Sequence, residues 1–353
     1  MLTYHEGEDV FIPNIIIHRI PSIPGINNIR PGFSYKKILC DIFMFIKAIK
    51  LTKIYQFDLI HAVEESVFMA LLLRHAKKIP YIYDMDSCLS QQLTDIIRPL
   101  RSLKSVMSKF EELAFSNSNG VIAVCKTLEE IAKKFAPTTP LLRLEDISML
   151  ADSTEEGENI RKNIEIDQPV IMYVGNLEHY QGIDLLLESF SILLENKPEA
   201  ILVIIGGSDK DIKYYSSLST KLGIIKNSRF IGRKPLTQLA YYLAQADILV
   251  SPRILGDNTP MKIYSFLDSG KPLLATRLET HTQVLDDSIA LLVSPEPRHM
   301  AEGFEHLINN PELAAQLALR AKERVANEFS FKAYKKKLTG FYSIVESGLG
   351  FNA

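Results

Sequence analysis

The sequence predicts an α/β protein with two doubly wound, parallel-sheet domains of Rossmann-like type. Short β-rich runs alternate with amphipathic helical patterns along the chain, an order typical of parallel sheets with helices on both faces. A length of 353 residues favours two domains over one. The segment 151–159 is polar, acidic and without aliphatic periodicity, and a new strand pattern begins at Pro169. The domain boundary is therefore expected within 150–168.

The individual elements follow from local patterns in chain order. Each predicted strand is a run of mostly β-branched, aliphatic or aromatic residues, at 14–19, 57–62, 80–84, 120–125, 141–145, 169–174, 201–205, 228–231, 247–251, 272–275 and 289–293. Each predicted helix repeats apolar residues three and four positions apart, near 36–55, 64–77, 98–116, 127–136, 182–195, 211–223, 235–245, 260–269, 298–309 and 312–328. The tail from 331 to 345 predicts a last amphipathic helix.

The composition is that of an ordinary globular protein, with 46% hydrophobic and 23% charged residues. A formal net charge of −2 gives no global electrostatic basis for a nucleic-acid partner. Cys40, Cys88 and Cys125 show no metal-ligand spacing, which favours a reducing compartment such as the cytoplasm. No apolar run reaches the ~18 residues of a membrane span, and the N-terminus lacks the features of a signal peptide.

The segment 258–276 carries the most informative local pattern. Thr259 is a good N-cap, Pro260 a good first helical residue and Gly270 a good helix end, so a helix is expected between them. Lys262 then falls in the first turn, where the helix dipole disfavours a cation by roughly 0.3–1 kcal/mol. A bound phosphate would reverse that sign. The alternative is a solvated lysine tolerated at a helix end.

Two glycines bound the loop that follows the first strand of the second half. Gly175 ends the strand at 169–174 and Gly182 precedes a helix, with the polar side chains of Asn176 and Gln181 between them. This loop suits a ligand, although it can equally be a strand-to-helix connection closed by glycine. It is not the spaced glycine fingerprint of dinucleotide folds, which weakens a dehydrogenase interpretation.

Two further strand ends carry candidate ligand groups. The pair Gly206–Gly207 suits a base or ribose lying against the backbone, or simply forms a tight turn. Arg253 follows the strand at 247–251 and precedes the loop to Thr259. Its guanidinium could grip a diphosphate through two hydrogen bonds, and a surface arginine is the alternative.

The ordered series of motifs at 173–186, 204–207, 230–232, 246–252 and 270–276 resembles the donor domain of glycosyltransferase family 4. The resemblance covers about 169–330, and the first half matches more loosely, through 57–62, 80–84 and 118–124. It implies the GT-B fold, in which two domains face a cleft, and retaining, metal-independent transfer from a nucleotide sugar. It also implies an acceptor-side domain at 1–150, a donor domain at 151–330 and a final helix, 331–353, that crosses back to the first domain.

The chain departs from the family at several positions. Where the family has an arginine and a lysine after the first donor-domain strand, this chain has Asn176 and Gln181. The family's pair of glutamates, eight positions apart, corresponds here to Asp257 and Ser265. An acceptor-side histidine of the family corresponds to Asp86.

The start of the chain also departs from the family pattern. The resemblance begins at about the second strand of the acceptor domain, so one strand–helix unit of roughly 30 residues is expected to be absent. Truncation or a misassigned start codon would account for this. A native protein without the unit would expose a sheet edge or a core face.

Two features of the first half each have two interpretations. Asp84 and Asp86 project on the same side of a strand, which resembles a metal clamp, but an ordinary acidic pair is the default and no metal site is expected. The helix at 36–54 groups Lys36, Lys47 and Lys50 on one narrow face. It can cover the first sheet, or contact an anionic membrane from the inner face as a peripheral element.

The leading hypothesis is a retaining, hexosyl-type glycosyltransferase that moves a sugar from a nucleoside diphosphate sugar to a hydroxyl of a glycan, polysaccharide or lipid-linked acceptor. No cofactor is expected besides this donor substrate. The predicted catalytic residues are Asp257, Lys262, Arg253 and Asp86. The predicted donor-binding residues are Gly175, Asn176, Gln181, Gly182, Gly206, Gly207, Asn258, Thr259 and Ser265. The second hypothesis is a catalytically weak or inactive GT-B protein that acts as a binding or partner module. Of the eight histidines only His61, at a strand end, merits a test, and a structural role is its default.

Overall fold

The structure is a computed structural model that describes residues 1–7, 10–27, 29, 34–87, 104–162, 168–256 and 258–350. It divides into two compact units. The first comprises Met1–Leu144 together with Leu338–Ala353, and the second comprises Glu145–Lys337. Cys88 and the predicted helical residues 98–103 lie outside the described residues, whereas Cys40 and Cys125 are buried thiols.

The first unit contains a parallel four-stranded sheet. Its strands are β3 (Ile60–Val63), β4 (Tyr81–Met85), β5 (Gly120–Ala123) and β6 (Leu141–Arg143), hydrogen-bonded in that order. The helices are α1 (Tyr35–Ile54), α2 (Ser66–Lys77), α3 (Lys104–Ser116) and α4 (Lys126–Phe135). Tyr83 of β4 packs against Phe115 of α3, with ring centroids 5.0 Å apart, in the core beside the sheet.

The N-terminal strands form a separate pair. β1 (Leu2–Thr3) runs parallel to β2 (His18–Arg19) in a two-stranded sheet. The strand predicted at 14–19 is thus shorter than expected. Asn14 adopts a left-handed φ of 65°, and the Ile15 amide donates to the Ile12 carbonyl, so a turn occupies its first half.

The second unit contains a parallel six-stranded sheet. Its strands are β7 (Val170–Val174), β8 (Ile201–Ile205), β9 (Ser228–Gly232), β10 (Ile248–Ser251), β11 (Leu273–Thr276) and β12 (Leu291–Val293). The spatial order is β12-β11-β10-β7-β8-β9, so the direction of winding reverses between β7 and β10. In such doubly wound sheets ligands bind beyond the carboxyl ends of the strands at this reversal.

Helices cover both faces of the second sheet. They are α5 (Ile183–Asn196), α6 (Asp209–Lys221), α7 (Leu239–Ala244), α8 (Lys262–Asp268), α9 (Glu279–Thr282), α10 (Pro297–Asn309) and α11 (Pro311–Glu328). Along β7, Val170 and Met172 face one apolar core while Ile171 and Tyr173 face the other. Burial on both faces explains why these strands read as continuous apolar runs.

The last helix, α12 (Phe331–Leu349), is shared between the units. Its residues up to Lys337 group with the second unit and those from Leu338 group with the first. In the first unit Phe341 and Val345 lie over Gly120 at the start of β5, where an added Cβ would come within 3.0 Å of both side chains. None of the described helices combines the length and hydrophobicity that crossing a bilayer requires.

Candidate functional site

Glycines bring the loops after β7, β8 and β10 together. Gly206 follows β8 with φ +121°, and a Cβ there would overlap the Gly175 carbonyl group at the end of β7. Gly182 has φ +74°, and a Cβ there would overlap the Pro252 carbonyl oxygen after β10. Close backbone approach therefore accounts for both glycines without a ligand. The same contacts place three strand-end loops side by side at the point where the sheet reverses.

Gly207 completes this junction. Its φ is +80°, and an added Cβ would lie 2.5 Å from the Leu177 side chain, which packs into the core below. The tight-turn interpretation of the glycine pair is thus supported by local packing.

Lys262 is the charged centre of this edge of the sheet. Its Nζ donates to Gln181 Oε1 at 2.8 Å and lies 4.1 Å from the centroid of the Tyr173 ring. Among the residues that the structure describes, no carboxylate lies within 4.0 Å of this ammonium. Loss of hydration, and then the nearby guanidinium of Arg253, lower the pKa of Lys262 well below its usual value. An amide oxygen and a ring face solvate a cation without neutralising it, so an anion would complete the site.

The start of α8 differs from the expected one. The helix begins at Lys262, is seven residues long and has Met261 at its N-cap position, with no side-chain capping bond. The prediction that Thr259 is the N-cap is therefore wrong. The Ile263 amide donates to the Pro260 carbonyl, so a tight turn precedes the helix. Because the helix is so short, the cationic groups of this edge are the side chains of Lys262 and Arg253 and not a helix N-terminus.

Thr259 instead lies buried at 7% exposure. Within the described part of the chain, its Oγ1 finds no hydrogen-bond partner. A buried hydroxyl without a partner is destabilising, and such groups are rare in folded proteins.

Arg253 organises the loop that leads to α8. Its Nε donates to the Leu255 carbonyl at 2.7 Å and its Nη1 to the Asn258 carbonyl at 3.0 Å. The guanidinium also stacks over Tyr180, with its Cζ 5.1 Å from the ring centroid. Part of the donor capacity expected for a diphosphate thus holds the protein's own loop. Asp257, the predicted sugar-orienting residue in this loop, lies outside the described residues.

His281 is a part of this edge that sequence reasoning missed. The fully buried ring bridges two strand ends, with Nδ1 2.8 Å from the Thr276 carbonyl and Nε2 2.9 Å from Ser251 Oγ. Burial lowers the pKa of His281 to about 4, so the ring is neutral near pH 7. A lone histidine in a short helix gives no sequence signal of this role, because the role arises only when β10 and β11 pair.

The other predicted donor-binding residues have distinct surroundings. Gln181 is buried and holds Lys262, whereas the Asn176 amide group faces Tyr180 OH at 3.4 Å. Ser265, expected to offer its hydroxyl to a ribose, is 2% exposed, and its Oγ accepts the Met149 amide at 3.0 Å. The structure thus groups most of the predicted donor-binding residues at the β7–β10 edge. The Ser265 hydroxyl instead bonds the backbone of Met149.

The predicted residue Asp86 lies in the first unit, just after β4. Next to it, Asp84 Oδ2 lies 2.7 Å from His61 Nε2, and His61 Nδ1 lies 2.5 Å from Tyr342 OH. Burial, and then the Asp84 carboxylate, raise the pKa of Asp86. In the described ranges, no group of three His, Cys, Asp or Glu side chains is arranged to hold a metal ion.

Glu64 is a second residue that sequence reasoning missed. It follows β3 with a left-handed φ of 52°, unusual for a non-glycine residue. Ser87 Oγ lies 2.7 Å from one of its carboxylate oxygens and 2.9 Å from the other. Burial raises the pKa of Glu64 to about 7, against the lowering effect of the Ser87 bond. Without a glycine to mark the left-handed position, the sequence gives no sign of this geometry.

Comparison with known proteins finds a sequence similarity in the second unit. Residues 156–324 match the family model of glycosyl transferases group 1. Over 186 residues the chain is 26% identical to D-inositol 3-phosphate glycosyltransferase of Corynebacterium diphtheriae, a match that covers 51% of this chain and 43% of the relative. The chain thus spans less than half of that relative's length.

Solved structures are similar over nearly the whole chain. Sucrose-phosphate synthase from Thermosynechococcus elongatus has a TM-score of 0.74 at 19% identity, covering 94% of this chain and 84% of that one. HepE of Anabaena, solved in complex with UDP, has a TM-score of 0.71 at 15% identity, covering 93% and 86%. The fold is therefore that of the GT-B glycosyltransferases, and most of the second unit matches glycosyl transferases group 1 in sequence.

Proposed function

We propose that the chain is a glycosyltransferase that transfers a hexosyl group from a nucleoside diphosphate sugar to a hydroxyl acceptor, with retention and without a metal ion. The observation that carries the proposal is the Lys262 ammonium, which lies without a carboxylate partner, among the described residues, at the edge where the second sheet reverses. The match of residues 156–324 to glycosyl transferases group 1 supports it.

The physical argument concerns where the donor diphosphate gains stability. Lys262 is poorly hydrated and lies close to a second cation, Arg253, so its charged form is disfavoured. A diphosphate would supply the missing negative charge. As the sugar leaves, charge accumulates on the diphosphate, and a lysine already in place stabilises it without reorganisation. Arg253 would contribute through the loop that it holds and through its own charge.

The comparisons suggest UDP as the first nucleotide to test. HepE has been solved with UDP and with UDP-glucose. The glycines Gly206 and Gly207 would lie against the nucleoside, and Asp257 would orient the sugar. This assignment to the present chain is part of the proposal.

The acceptor side is assigned to the first unit, with Asp86 near the acceptor hydroxyl. The acceptor class proposed is a glycan, a polysaccharide or a lipid-linked sugar. A cytoplasmic protein that contacts the inner face of a membrane through residues 36–54 would suit such acceptors.

Calorimetric titration with UDP and GDP tests the donor site. We expect Lys262→Met to weaken nucleotide binding by roughly ten- to a hundredfold, because a charge-assisted bond contributes ~1.5–3 kcal/mol. The matched control is Lys271→Met, since Lys271 precedes β11 at the opposite end of the same sheet. The control should bind like the wild type.

Two results would contradict the donor proposal. One is the absence of nucleotide binding in the wild-type chain, and the other is equal binding by Lys262→Met and Lys271→Met. The anomeric configuration of the product, read by NMR in the presence of EDTA, would test retention and metal independence together.

The alternative is a binding module with little catalysis. It is favoured by the loss of family charges at Asn176 and Gln181 and by the burial of the Ser265 hydroxyl. A chain that binds UDP through Lys262 but releases no UDP from UDP-glucose, with or without added glycan, would favour this alternative over the transferase.

A further inference from the structure

Helix α1 has apolar residues on two opposite faces, only one of which is covered. Cys40 is buried in a small cluster with Ile20 and Ile26, and Leu51 is buried further along the same face. The opposite face is called here the α1 outer face. It consists of six side chains that are 37–70% exposed: Tyr35, Ile38, Leu39, Ile42, Phe43 and Ile46.

The α1 outer face is continuous along the helix. At ~100° per residue the six side chains fall within an arc of about 140°, centred roughly opposite Cys40 and Leu51. A water-facing helix normally places charged or polar residues there. Six neighbouring large apolar side chains instead mark an interaction surface.

The charged residues of α1 are mostly positive. The one acidic residue of α1, Asp41, accepts a hydrogen bond from Tyr4 OH at 2.5 Å, and Lys37 pairs with Glu65 at 2.5 Å. The remaining lysines of the helix are Lys36, Lys47, Lys50 and Lys53. Lys36 donates to the Asn27 carbonyl at 2.7 Å, and Lys47 falls beside Cys40 on the covered side of the helix. Lys50 and Lys53 fall within the arc of the α1 outer face, and within the described part of the chain neither has a carboxylate within 4.0 Å of its ammonium.

We infer that the α1 outer face docks on the surface of an anionic lipid bilayer. The six apolar side chains would enter the boundary between headgroups and acyl chains, and Lys50 and Lys53 would contact the headgroup phosphates. A bilayer surface of this kind offers apolar and anionic groups together, as the α1 outer face requires. Since α1 is not a spanning helix, it would lie in the plane of the interface.

This inference refines the membrane contact of the proposed function and does not depend on donor binding. Either can therefore fail alone, because Lys262 and α1 belong to different units. Nucleotide binding reports on the second unit, and vesicle binding reports on the first.

Sedimentation of the full chain with phosphatidylcholine vesicles, with and without phosphatidylglycerol, tests the inference. We expect the wild type to co-sediment with the anionic vesicles and to be released by added salt. Ile42→Gln with Ile46→Gln should reduce the bound fraction at least tenfold. Lys50→Gln with Lys53→Gln should abolish the preference for phosphatidylglycerol.

The matched controls are Leu319→Gln, an exposed leucine of the second unit, and Lys335→Gln with Lys336→Gln on α12. Both should bind vesicles like the wild type, and all variants should keep the wild-type melting temperature. A wild type that stays in the supernatant would overturn the inference. So would unchanged vesicle binding by the isoleucine variant. A dimer that this variant dissociates would show that the face binds a second copy instead.

Discussion

The carboxyl edges of the two sheets have the same backbone plan and opposite electrostatics. In the second unit Lys262 and Arg253 lie beside β7 and β10, above the neutral ring of His281. In the first unit Glu64 follows β3, Asp84 lies near the end of β4, and Asp86 follows β4. The parallel sheet fixes where groups converge in each unit, and the side chains decide which ligand charge that edge favours.

Both edges shift ionisable groups towards their neutral forms, by the same cause. Burial lowers the pKa of Lys262 and His281 and raises the pKa of Glu64. Because the pKa values of bases and acids shift in opposite directions, lowering the pH should reduce the contribution of His281 to stability and restore that of Glu64. That difference can be measured.

The largest effect is expected at His281. Its pKa is about 4 in the folded chain against 6.5 in the unfolded one, so its contribution to stability is fully present above pH 6.5 and is lost as the pH falls through 4. The loss amounts to about 3 kcal/mol in the free energy of unfolding. His281→Asn should remove this acid dependence from urea unfolding curves, whereas the exposed His179→Asn should keep it. If the free energy of unfolding depends on pH equally in the two variants, the buried ring of His281 is not the cause of the acid dependence.

A smaller effect of opposite sign is expected at Glu64. Its pKa is about 7 in the folded chain against 4.5 in the unfolded one, so the contribution of the neutral form is fully present below pH 4.5 and is lost as the pH rises through 7. Between pH 4.5 and 8, the free energy of unfolding of Glu64→Gln should rise by about 2 kcal/mol relative to that of the wild type. The pKa difference alone would give a larger rise, but Glu64 is partly exposed and solvent weakens the effect.

The neighbouring Glu65→Gln is the control for Glu64. It removes a surface ion pair with Lys37, which contributes no more than about 1 kcal/mol. If unfolding curves show the same pH dependence for both variants, Glu64 does not differ from its neighbour and the acidic edge carries no special proton affinity.

The smallest effect is expected at Thr259. Thr259→Val replaces a buried hydroxyl that has no partner, within the described residues, by a methyl group of similar size. We expect the free energy of unfolding to rise by about 1 kcal/mol. Thr276→Val is the contrast, because its hydroxyl donates to the Arg253 carbonyl at 2.5 Å and its removal should be destabilising by about the same amount. A loss of stability in Thr259→Val would mean that its hydroxyl has a partner after all.

The strands of the second sheet could be predicted because burial on both faces makes their sequences uniformly apolar. Ile201–Ile205 has the predicted bounds, and β7 and β10 each start one residue later than predicted. The GT-B fold expected from the motif series is confirmed by the solved structures. The site residues of the β7–β10 edge remain predictions, although the structure places Lys262 and Arg253 close together there.

The start of α8, the bridge made by His281 and the conformation of Glu64 could not be predicted from local sequence patterns. Thr259 followed by Pro260 is a good local helix start, but the chain makes a tight turn there and α8 begins at Lys262. The bridge made by His281 requires two strands to pair first, and no local pattern encodes it. The left-handed Glu64 is likewise held by its surroundings, since its amide donates to the Asp84 carbonyl of the neighbouring strand.

The division of α12 between the units has a consequence for synthesis on the ribosome. The second unit is complete once Lys337 has emerged, whereas the first unit still lacks its final segment from Leu338 onward. Until that segment arrives, Gly120 is without the cover of Phe341 and Val345. The half that is translated first is therefore finished last, and a nascent chain stalled between Lys337 and Leu338 would carry a complete second unit and an unfinished first unit.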